Sequence, residues 1–218
     1  VDGIIFLYPD FENYMEPFLN TASIPVAIFD SSLASPALIN ICSDDQKGLY
    51  LSTKYMINHG HTHIAFIADY EGNHILTGRL NGYRKALDES GIPFRPEYVL
   101  PYPPSYEGGI AAGKKIASMN SLTAAVTTAD ICAIGIMEGA RLGGLRVPAD
   151  LSVIGYDNLN LCQYTMPKLT SISQDIPQKA RLATRLLLEK ICTGKTSTPC
   201  QITMDVDIVE RQSVVSLF

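Results

Sequence analysis

Short apolar runs alternate with helical patterns along most of this chain, and this alternation constrains the fold more than any other feature. The runs that predict strands lie at residues 3–8, 24–30, 64–68, 99–100, 124–127 and 151–156. Apolar side chains recur with helical spacing at residues 11–21, 45–57, 79–90, 107–119, 131–142 and 179–191. Strand–helix units repeated this often predict an α/β fold with doubly wound parallel sheets.

One short link indicates more than one sheet. The strand predicted at residues 151–156 is followed by an apolar run at residues 169–173, and only residues 157–168 separate the two. A parallel neighbour in the same sheet needs a crossover of about a dozen residues or more, usually helical. Because this link shows no clear helix, we interpret it as a passage from one lobe to another. Two lobes with a ligand cleft between them follow from that interpretation. Strict apolar alternation at residues 202–208 then predicts a half-exposed edge strand.

Composition and charge exclude several classes of protein. A hydrophobic content of 46% and a charged content of 18% are typical of a compact globular chain. The net charge of −5 offers no broad basic face for nucleic acid phosphates. No apolar run approaches the roughly 20 residues of a membrane span, and no signal-like leader precedes the first strand. A P-loop, a nucleophile elbow and a G-x-G-x-x-G motif are all absent, so we expect neither an enzyme nor a cofactor.

The cysteines and histidines do not form a recognisable metal-binding or disulfide pattern. Five scattered cysteines without a C-x-x-C motif indicate reduced thiols in a cytosolic protein: Cys42, Cys132, Cys162, Cys192 and Cys200. The H-G-H-T-H run at residues 59–63 resembles a metal cluster, but no acidic or thiol side chain completes it nearby. A turn between helix and strand explains this run, and we expect no metal site.

The segment at residues 146–158, R-V-P-A-D-L-S-V-I-G-Y-D-N, predicts a turn, a buried strand and a strand end that presents a carboxylate. Asp157 follows the strand at the carboxyl edge of a parallel sheet, where open α/β sheets bind ligands. An aspartate after a strand is also a common turn residue that caps backbone amides. This segment alone therefore leaves both roles open for Asp157.

Eight segments in chain order resemble the effector-binding core of bacterial LacI/GalR-family transcriptional repressors. They are residues 1–5, 24–30, 59–67, 78–87, 129–135, 146–158, 167–175 and 208–213. The resemblance implies a periplasmic-binding-protein-like type I fold, with two α/β lobes joined by crossings near His61, Pro167 and Cys200. We therefore expect an N-terminal lobe of residues 1–60 and 168–200 and a C-terminal lobe of residues 61–167 and 201–218.

The sequence also departs from the family pattern. Family members carry a helix-turn-helix domain and two further β-α units ahead of the V-D-G-I-I segment, and neither lies within these 218 residues. We expect an incomplete N-terminal lobe that associates to cover its exposed surface, and no operator binding by these residues alone. Ala129 stands where the family usually has asparagine, which removes one side-chain amide from the expected ligand site.

Two side chains are the leading ligand-binding candidates by this resemblance. Arg79 resembles the family arginine that points into the cleft, where its guanidinium could donate two hydrogen bonds. The alternative for Arg79 is a solvated charge in the first turn of a helix. Asp157 resembles the strand-end aspartate that accepts from ligand hydroxyls or amines. We expect that Asp157→Ala and Arg79→Ala each abolish effector binding and leave the fold intact.

Six further residues are candidates for the same site. Asp130 is expected to cap a helix, to contact the ligand, or to do both, and Asp30 to face the cleft from the N-terminal lobe. Polar contacts and a ring that stacks on the ligand are expected from Asn73, His74 and either Tyr102 or Tyr106.

The expected function is the effector-binding and dimerisation core of a transcriptional regulator that senses a small polar metabolite, such as a sugar or a purine-like molecule. Its partners would be the effector, a second copy in a homodimer, and operator DNA through the missing domain, with no membrane involved. The alternative is a periplasmic sugar-binding protein of an ABC importer, which shares the fold. That alternative would need a secretion leader and fits poorly with five unpaired cysteines.

Overall fold

The chain forms two compact units in the computed structural model, which describes residues 1–7, 17, 19, 24–33, 38–68, 74–194 and 201–218. Unit 1 comprises Val1–Asp44 and Asp175–Asp205, and unit 2 comprises Asp45–Gln174 and Val206–Phe218. The predicted helix at residues 11–21 lies almost entirely outside the described residues, as do Asn73 and Cys200.

Strands and helices alternate along the described residues, as predicted. The strands are β1 (Ile4–Phe6), β2 (Val26–Phe29), β3 (Leu38–Ser43), β4 (Ile64–Ala68), β5 (Val99–Pro101), β6 (Ala124–Thr127), β7 (Ser152–Asp157), β8 (Thr170–Ser173), β9 (Gln201–Met204) and β10 (Asp207–Val209). The helices are α1 (Asp45–Asn58), α2 (His74–Asp88), α3 (Tyr106–Ala117), α4 (Asp130–Leu142) and α5 (Ile176–Thr193), with short 3-10 helices at Pro96–Tyr98 and Asn160–Gln163.

Unit 1 is a parallel sheet with a helix packed against it. Its strands lie in the order β1-β2-β3-β9, and every neighbouring pair is parallel. The Asp175 carboxylate accepts from the Gln178 amide at 3.1 Å and so caps the start of α5, and Gly194 ends the helix in a left-handed conformation. The apolar face of α5 packs on β2 and β3 through Ala27, Ile39, Ile41, Ala183, Leu186 and Leu187.

Unit 2 is a six-stranded sheet with helices on both faces. The order is β10-β8-β7-β6-β4-β5, and only β10 runs antiparallel to its neighbour among these pairs. Alternate residues of β4 point to opposite faces: Ile64 and Phe66 join a cluster with α1 and α2, whereas Ala65 and Ile67 join a cluster with α3 and α4. The doubly wound parallel fold predicted from sequence is thus confirmed.

Helices α3 and α4 touch through their backbones. A Cβ atom built on Gly109 would lie 2.1 Å from the Cys132 carbonyl oxygen, and one on Gly135 would lie 2.2 Å from the Tyr106 carbonyl oxygen. Only glycine fits at such a contact, so these positions set how closely the two helices approach.

The prediction that residues 157–168 pass from one lobe to the other is wrong. Strand β8 pairs in parallel with β7, with Ile154 opposite Thr170, so both strands belong to the sheet of unit 2. The link contains no α-helix, so its sequence pattern alone does not indicate a crossover. About twelve residues with one 3-10 turn are nevertheless long enough to return the chain to the neighbouring position.

The observed units also differ from the boundaries expected at residues 60, 167 and 200. The chain instead changes units after Asp44, after Gln174 and after Asp205. Helix α1 belongs to unit 2 because it packs directly on α2, where a Cβ on Gly82 would lie 2.0 Å from a carbonyl oxygen of α1. The single edge strand predicted at residues 202–208 is two strands: β9 pairs with β3 in unit 1 and β10 with β8 in unit 2.

Candidate functional site

The carboxylate predicted at the end of β7 lies at the carboxyl edge of the sheet of unit 2. Asp157 is half-buried and has a positive φ of 110°. Its Oδ1 accepts a hydrogen bond from Gln174 Nε2 at 2.5 Å, and the strand register places it opposite Ser173. Gln174 ends the segment that leads out of unit 2. The carboxylate of Asp157 is therefore held by the residue at that exit.

The Arg79 side chain is largely covered, with 11% of it exposed, and it lies in the second turn of α2, which begins at His74. Its Nε donates to Asp45 Oδ1 at 2.7 Å and its Nη1 donates to the Thr128 carbonyl oxygen at 2.7 Å. The guanidinium carbon stacks 3.9 Å from the centre of the Tyr156 ring, a cation–π contact. The reading of Arg79 as an exposed first-turn charge is therefore wrong. Among the described residues, nothing accepts a hydrogen bond from its Nη2.

Tyr156 is a common neighbour of Arg79 and Asp157: the Arg79 guanidinium stacks on its ring, and Asp157 follows it in the chain. Burial by itself would lower the pKa of Arg79, but the nearby Asp45, Tyr156 and Asp157 together raise it above its ordinary value. The guanidinium therefore stays charged despite its burial. Tyr156 Oη also donates to Asp45 Oδ1 at 3.3 Å. A cation thus packs on the last aromatic residue of β7, and a carboxylate-bearing residue follows it in the chain.

Asp130 is fully buried at the start of α4. Its Oδ1 accepts from Ser171 Oγ and its Oδ2 accepts from the Leu159 backbone N–H at 2.7 Å. Burial raises the pKa of this carboxyl, and hydrogen bonds from Ser171, Leu159 and Cys162 partly offset the rise. The residue at the N-cap is Ala129, and no side-chain capping bond is formed. The predicted capping role of Asp130 is therefore wrong, because its side chain joins β8 to the segment after β7 instead.

Asp30 follows β2 in unit 1 and forms an ion pair that sequence reasoning missed. Lys179 Nζ contacts Asp30 Oδ1 at 2.7 Å, Asp30 Oδ2 at 2.5 Å and Ser43 Oγ at 2.9 Å. Lys179 is buried on the face of α5 that also carries Ala183. A lysine four positions before a buried alanine was the signal in the sequence. Ala180, the next residue along the helix, is exposed.

The described contacts of the aromatic and histidine candidates do not include Arg79 or Asp157. Tyr102 is half-buried, packs against the cluster under α3 and α4, and donates its backbone N–H to the Ala68 carbonyl at 2.8 Å. Tyr106 and His74 are exposed and begin α3 and α2, respectively. The described contacts of Tyr102 thus hold it in the core of unit 2.

Two histidines of the run at residues 59–63 form hydrogen bonds within unit 2. His61 is buried, with Nδ1 3.0 Å from Thr123 Oγ1 and Nε2 3.0 Å from the Val215 carbonyl oxygen. His59 Nδ1 lies 2.8 Å from the Tyr55 carbonyl oxygen. Within the described ranges, no three His, Cys, Asp or Glu side chains form a group that could hold a metal ion. Those ranges also contain no helix that is long and apolar enough to cross a membrane.

A surface pocket of about 460 Å³ lies elsewhere on unit 2. It is lined by Arg84, Lys85, Asp88, Ile92, Pro93 and Phe94. The Arg84 guanidinium covers the Phe94 ring at 4.3 Å. This pocket contains none of the residues at the end of β7.

Comparison with known proteins identifies the family to which this fold belongs. The chain matches the family described as the periplasmic binding protein-like domain over residues 53–214. The HTH-type transcriptional repressor PurR of Vibrio vulnificus (strain CMCP6) is 35% identical over 193 residues, covering 88% of this chain and 58% of that protein. A transcription regulator from Lactobacillus plantarum superposes with a TM-score of 0.91 at 30% identity, covering 100% of this chain and 82% of that structure.

A second solved structure agrees. The LacI family transcriptional regulator from Enterococcus faecium, with bound ribose, has a TM-score of 0.90 at 26% identity and covers 100% of this chain and 81% of that structure. The chain therefore belongs to the periplasmic binding protein-like domain family, as the core found in LacI-family regulators. This confirms the resemblance drawn from the eight segments. The chain spans less than two thirds of the Vibrio vulnificus relative.

Proposed function

We propose that this chain is the effector-binding core of a LacI-family transcriptional regulator. It senses a small polar metabolite, most simply a sugar, and controls DNA binding by a helix-turn-helix domain outside these residues. The observation that carries the proposal is the arrangement of Arg79 and Asp157 around Tyr156 at the end of β7. A charged donor and a charged acceptor at the carboxyl edge of a parallel sheet suit a ligand rich in hydroxyl or amine groups.

The effector contacts divide between these side chains. Asp157 accepts from the ligand, and Arg79 donates through Nη2, because its Nε and Nη1 already bind Asp45 and Thr128. Asp130 does not contact the effector itself but supports the site by accepting hydrogen bonds from Ser171 and Leu159. The bound ribose of the Enterococcus faecium regulator supports a sugar as the first class to test.

The partner of this core is a second copy of the chain. Three apolar side chains in the segment between β7 and β8 are strongly exposed: Leu161, Tyr164 and Met166. A patch of this kind favours association, since it leaves apolar surface in water. The protein acts in the cytoplasm without catalysing a reaction, which fits the free cysteines at Cys132, Cys162 and Cys192. The importer alternative is not favoured, because the relatives named above are transcription regulators.

The test is a thermal-shift screen of this chain against pentoses, hexoses, disaccharides, nucleosides and purine bases. A metabolite present at 100 times its dissociation constant stabilises the folded form by about 2.7 kcal/mol. The shift should disappear in Asp157→Asn and persist in Asp88→Asn, which removes an exposed carboxylate from α2. A shift retained in Asp157→Asn would remove this residue from the site, and a blank across the panel would count against the proposed class of effector.

A further inference from the structure

The turn that presents the Asp157 carboxylate has an unusual backbone. Asp157 and Asn158 have consecutive positive φ angles of 110° and 54°. Residues with a Cβ rarely adopt such angles, so surrounding contacts must hold the turn in this conformation. The last pair in the β7–β8 register, Asp157 with Ser173, fixes only the strand side of the turn.

Arg211 supplies the contact on the other side. It follows β10, and its Nη2 donates to Asn158 Oδ1 at 2.6 Å. Its Nη1 donates to the Leu169 carbonyl oxygen at 2.7 Å, and its backbone N–H donates to Thr170 Oγ1 at 2.9 Å. The planar guanidinium therefore joins the turn after β7 to the segment that enters β8.

These contacts fix the orientation of the Asn158 side chain. Arginine can only donate, so the amide oxygen must face Arg211 and the amide nitrogen must face away. That nitrogen lies 3.4 Å from Ser173 Oγ, and the Asn158 backbone N–H donates to Ser171 Oγ at 3.0 Å. Ser171 in turn donates to the buried Asp130 carboxylate. The turn is thus tied to β8 at two points and to Arg211 at a third.

We propose that Arg211 is a positioning residue for the effector site: by fixing Asn158, it holds Asp157 in the left-handed conformation that presents its carboxylate to the ligand. Arg211 bonds to Asn158 and not to the carboxylate itself. Its charge also lowers the pKa of the buried Asp130 carboxyl, which supports the same hydrogen-bonded group. The step from a fixed turn to a bound effector rests on the proposed function.

A lysine cannot replace this arginine fully. Two acceptors, Asn158 Oδ1 and the Leu169 carbonyl oxygen, are reached by different nitrogens of one rigid group. A lysine ammonium is a single point donor on a flexible stem. Arg211→Lys should therefore keep the charge and one contact, whereas Arg211→Met loses both contacts and the charge.

The first arm of the test needs no ligand. Amide hydrogen exchange is measured residue by residue in the wild type, Arg211→Met, Arg211→Lys and the control Arg146→Met, which removes an exposed arginine paired with Asp150. We expect exchange at Asn158 and Leu159 to rise about tenfold or more in Arg211→Met, because a hydrogen bond from a charged donor is lost. Arg211→Lys should lie between, and Arg146→Met should match the wild type.

The second arm measures D-ribose and adenine binding by calorimetry in the same four proteins. For whichever probe binds the wild type, we expect a loss of affinity of about tenfold or more in Arg211→Met and partial recovery in Arg211→Lys. Unchanged exchange at Asn158 and Leu159 in Arg211→Met, or a uniform rise throughout unit 2, would overturn the positioning role. If neither probe binds the wild type, the choice of effector fails, while the exchange data still decide whether Arg211 holds the turn.

Discussion

Arg79 and Asp45 form a 2.7 Å ion pair whose side chains are only 11% and 13% exposed. Asp45 is the first residue of unit 2 and also opens α1. The arginine expected to meet the ligand therefore also holds the chain where it enters unit 2. An effector that draws Arg79 toward itself would compete with this ion pair, which gives the site a direct physical link to that segment.

The Arg79–Asp45 pair changes what a substitution at Arg79 should do. The sequence predicted that Arg79→Ala would leave the fold intact, but losing the arginine removes the cation that pairs with the largely covered Asp45 carboxylate. We now expect Arg79→Met to destabilise the protein by about 3–5 kcal/mol, measured by urea unfolding. Arg84→Met, an exposed arginine on the same helix, is the control and should cost no more than about 1 kcal/mol, because it loses only a surface cation–π contact with Phe94. A stable Arg79→Met protein would show that the ion pair adds little.

Lys179 and Asp30 should behave as a coupled pair in unit 1. We expect Lys179→Met and Asp30→Asn each to destabilise the protein by about 2–4 kcal/mol. This is less than the loss expected for a fully buried ion pair, because the Asp30 side chain is 24% exposed and solvent screens the pair. The double variant should lose less than the sum of the two, which a double-mutant cycle of urea unfolding measures. Arg185→Met, an exposed cation on the same helix, is the matched control. Simple additivity would mean that the two side chains do not interact.

His61 should make the stability of unit 2 depend on pH. Burial lowers its pKa in the folded protein below the ordinary 6.5, an effect that outweighs the hydrogen bond to Val215. Below about pH 6.5 the unfolded chain takes up a proton that the folded chain resists, so stability falls as pH drops toward the folded pKa. We expect His61→Gln to flatten unfolding stability between about pH 5 and 7. His63→Gln, at a half-buried histidine whose ring lies beside Thr62, is the control for the substitution itself.

The exposed segment between β7 and β8 should control association. Tyr164 and Met166 are 82% and 92% exposed, respectively. Replacing both by glutamate places two charges in this exposed segment and should weaken the proposed dimer, which sedimentation measurements detect. Lys114→Glu and Lys115→Glu, on the exposed side of α3, are the control and should leave association unchanged. A dimer that survives the double glutamate variant would place the interface elsewhere.

The sequence predicted β4, β6 and β7 of unit 2 well because each is a short apolar run whose residues are almost all buried. Predicted strands at residues 64–68 and 124–127 match β4 and β6. Asp157 was also placed correctly at a strand end. These features depend on local pattern, which a sequence carries directly.

The sequence failed where distant residues decide the outcome. Nothing near residue 170 indicates that it pairs with residue 154, and nothing local separates β9 from β10 within one alternating run. The partners of Arg79 and Asp30 lie 34 and 149 residues away, at Asp45 and Lys179. Such pairings follow from the tertiary fold, so residue type and spacing alone could not reveal them.

The most direct test of the central claim is calorimetric titration of the metabolite found in the screen into the wild type, Asp157→Asn and Asp88→Asn. If the end of β7 is the effector site, Asp157→Asn should weaken binding about tenfold or more, because the ligand loses a charged acceptor, while Asp88→Asn binds as the wild type does. Equal affinity for the wild type and Asp157→Asn would contradict the site and, with it, the role proposed for this core.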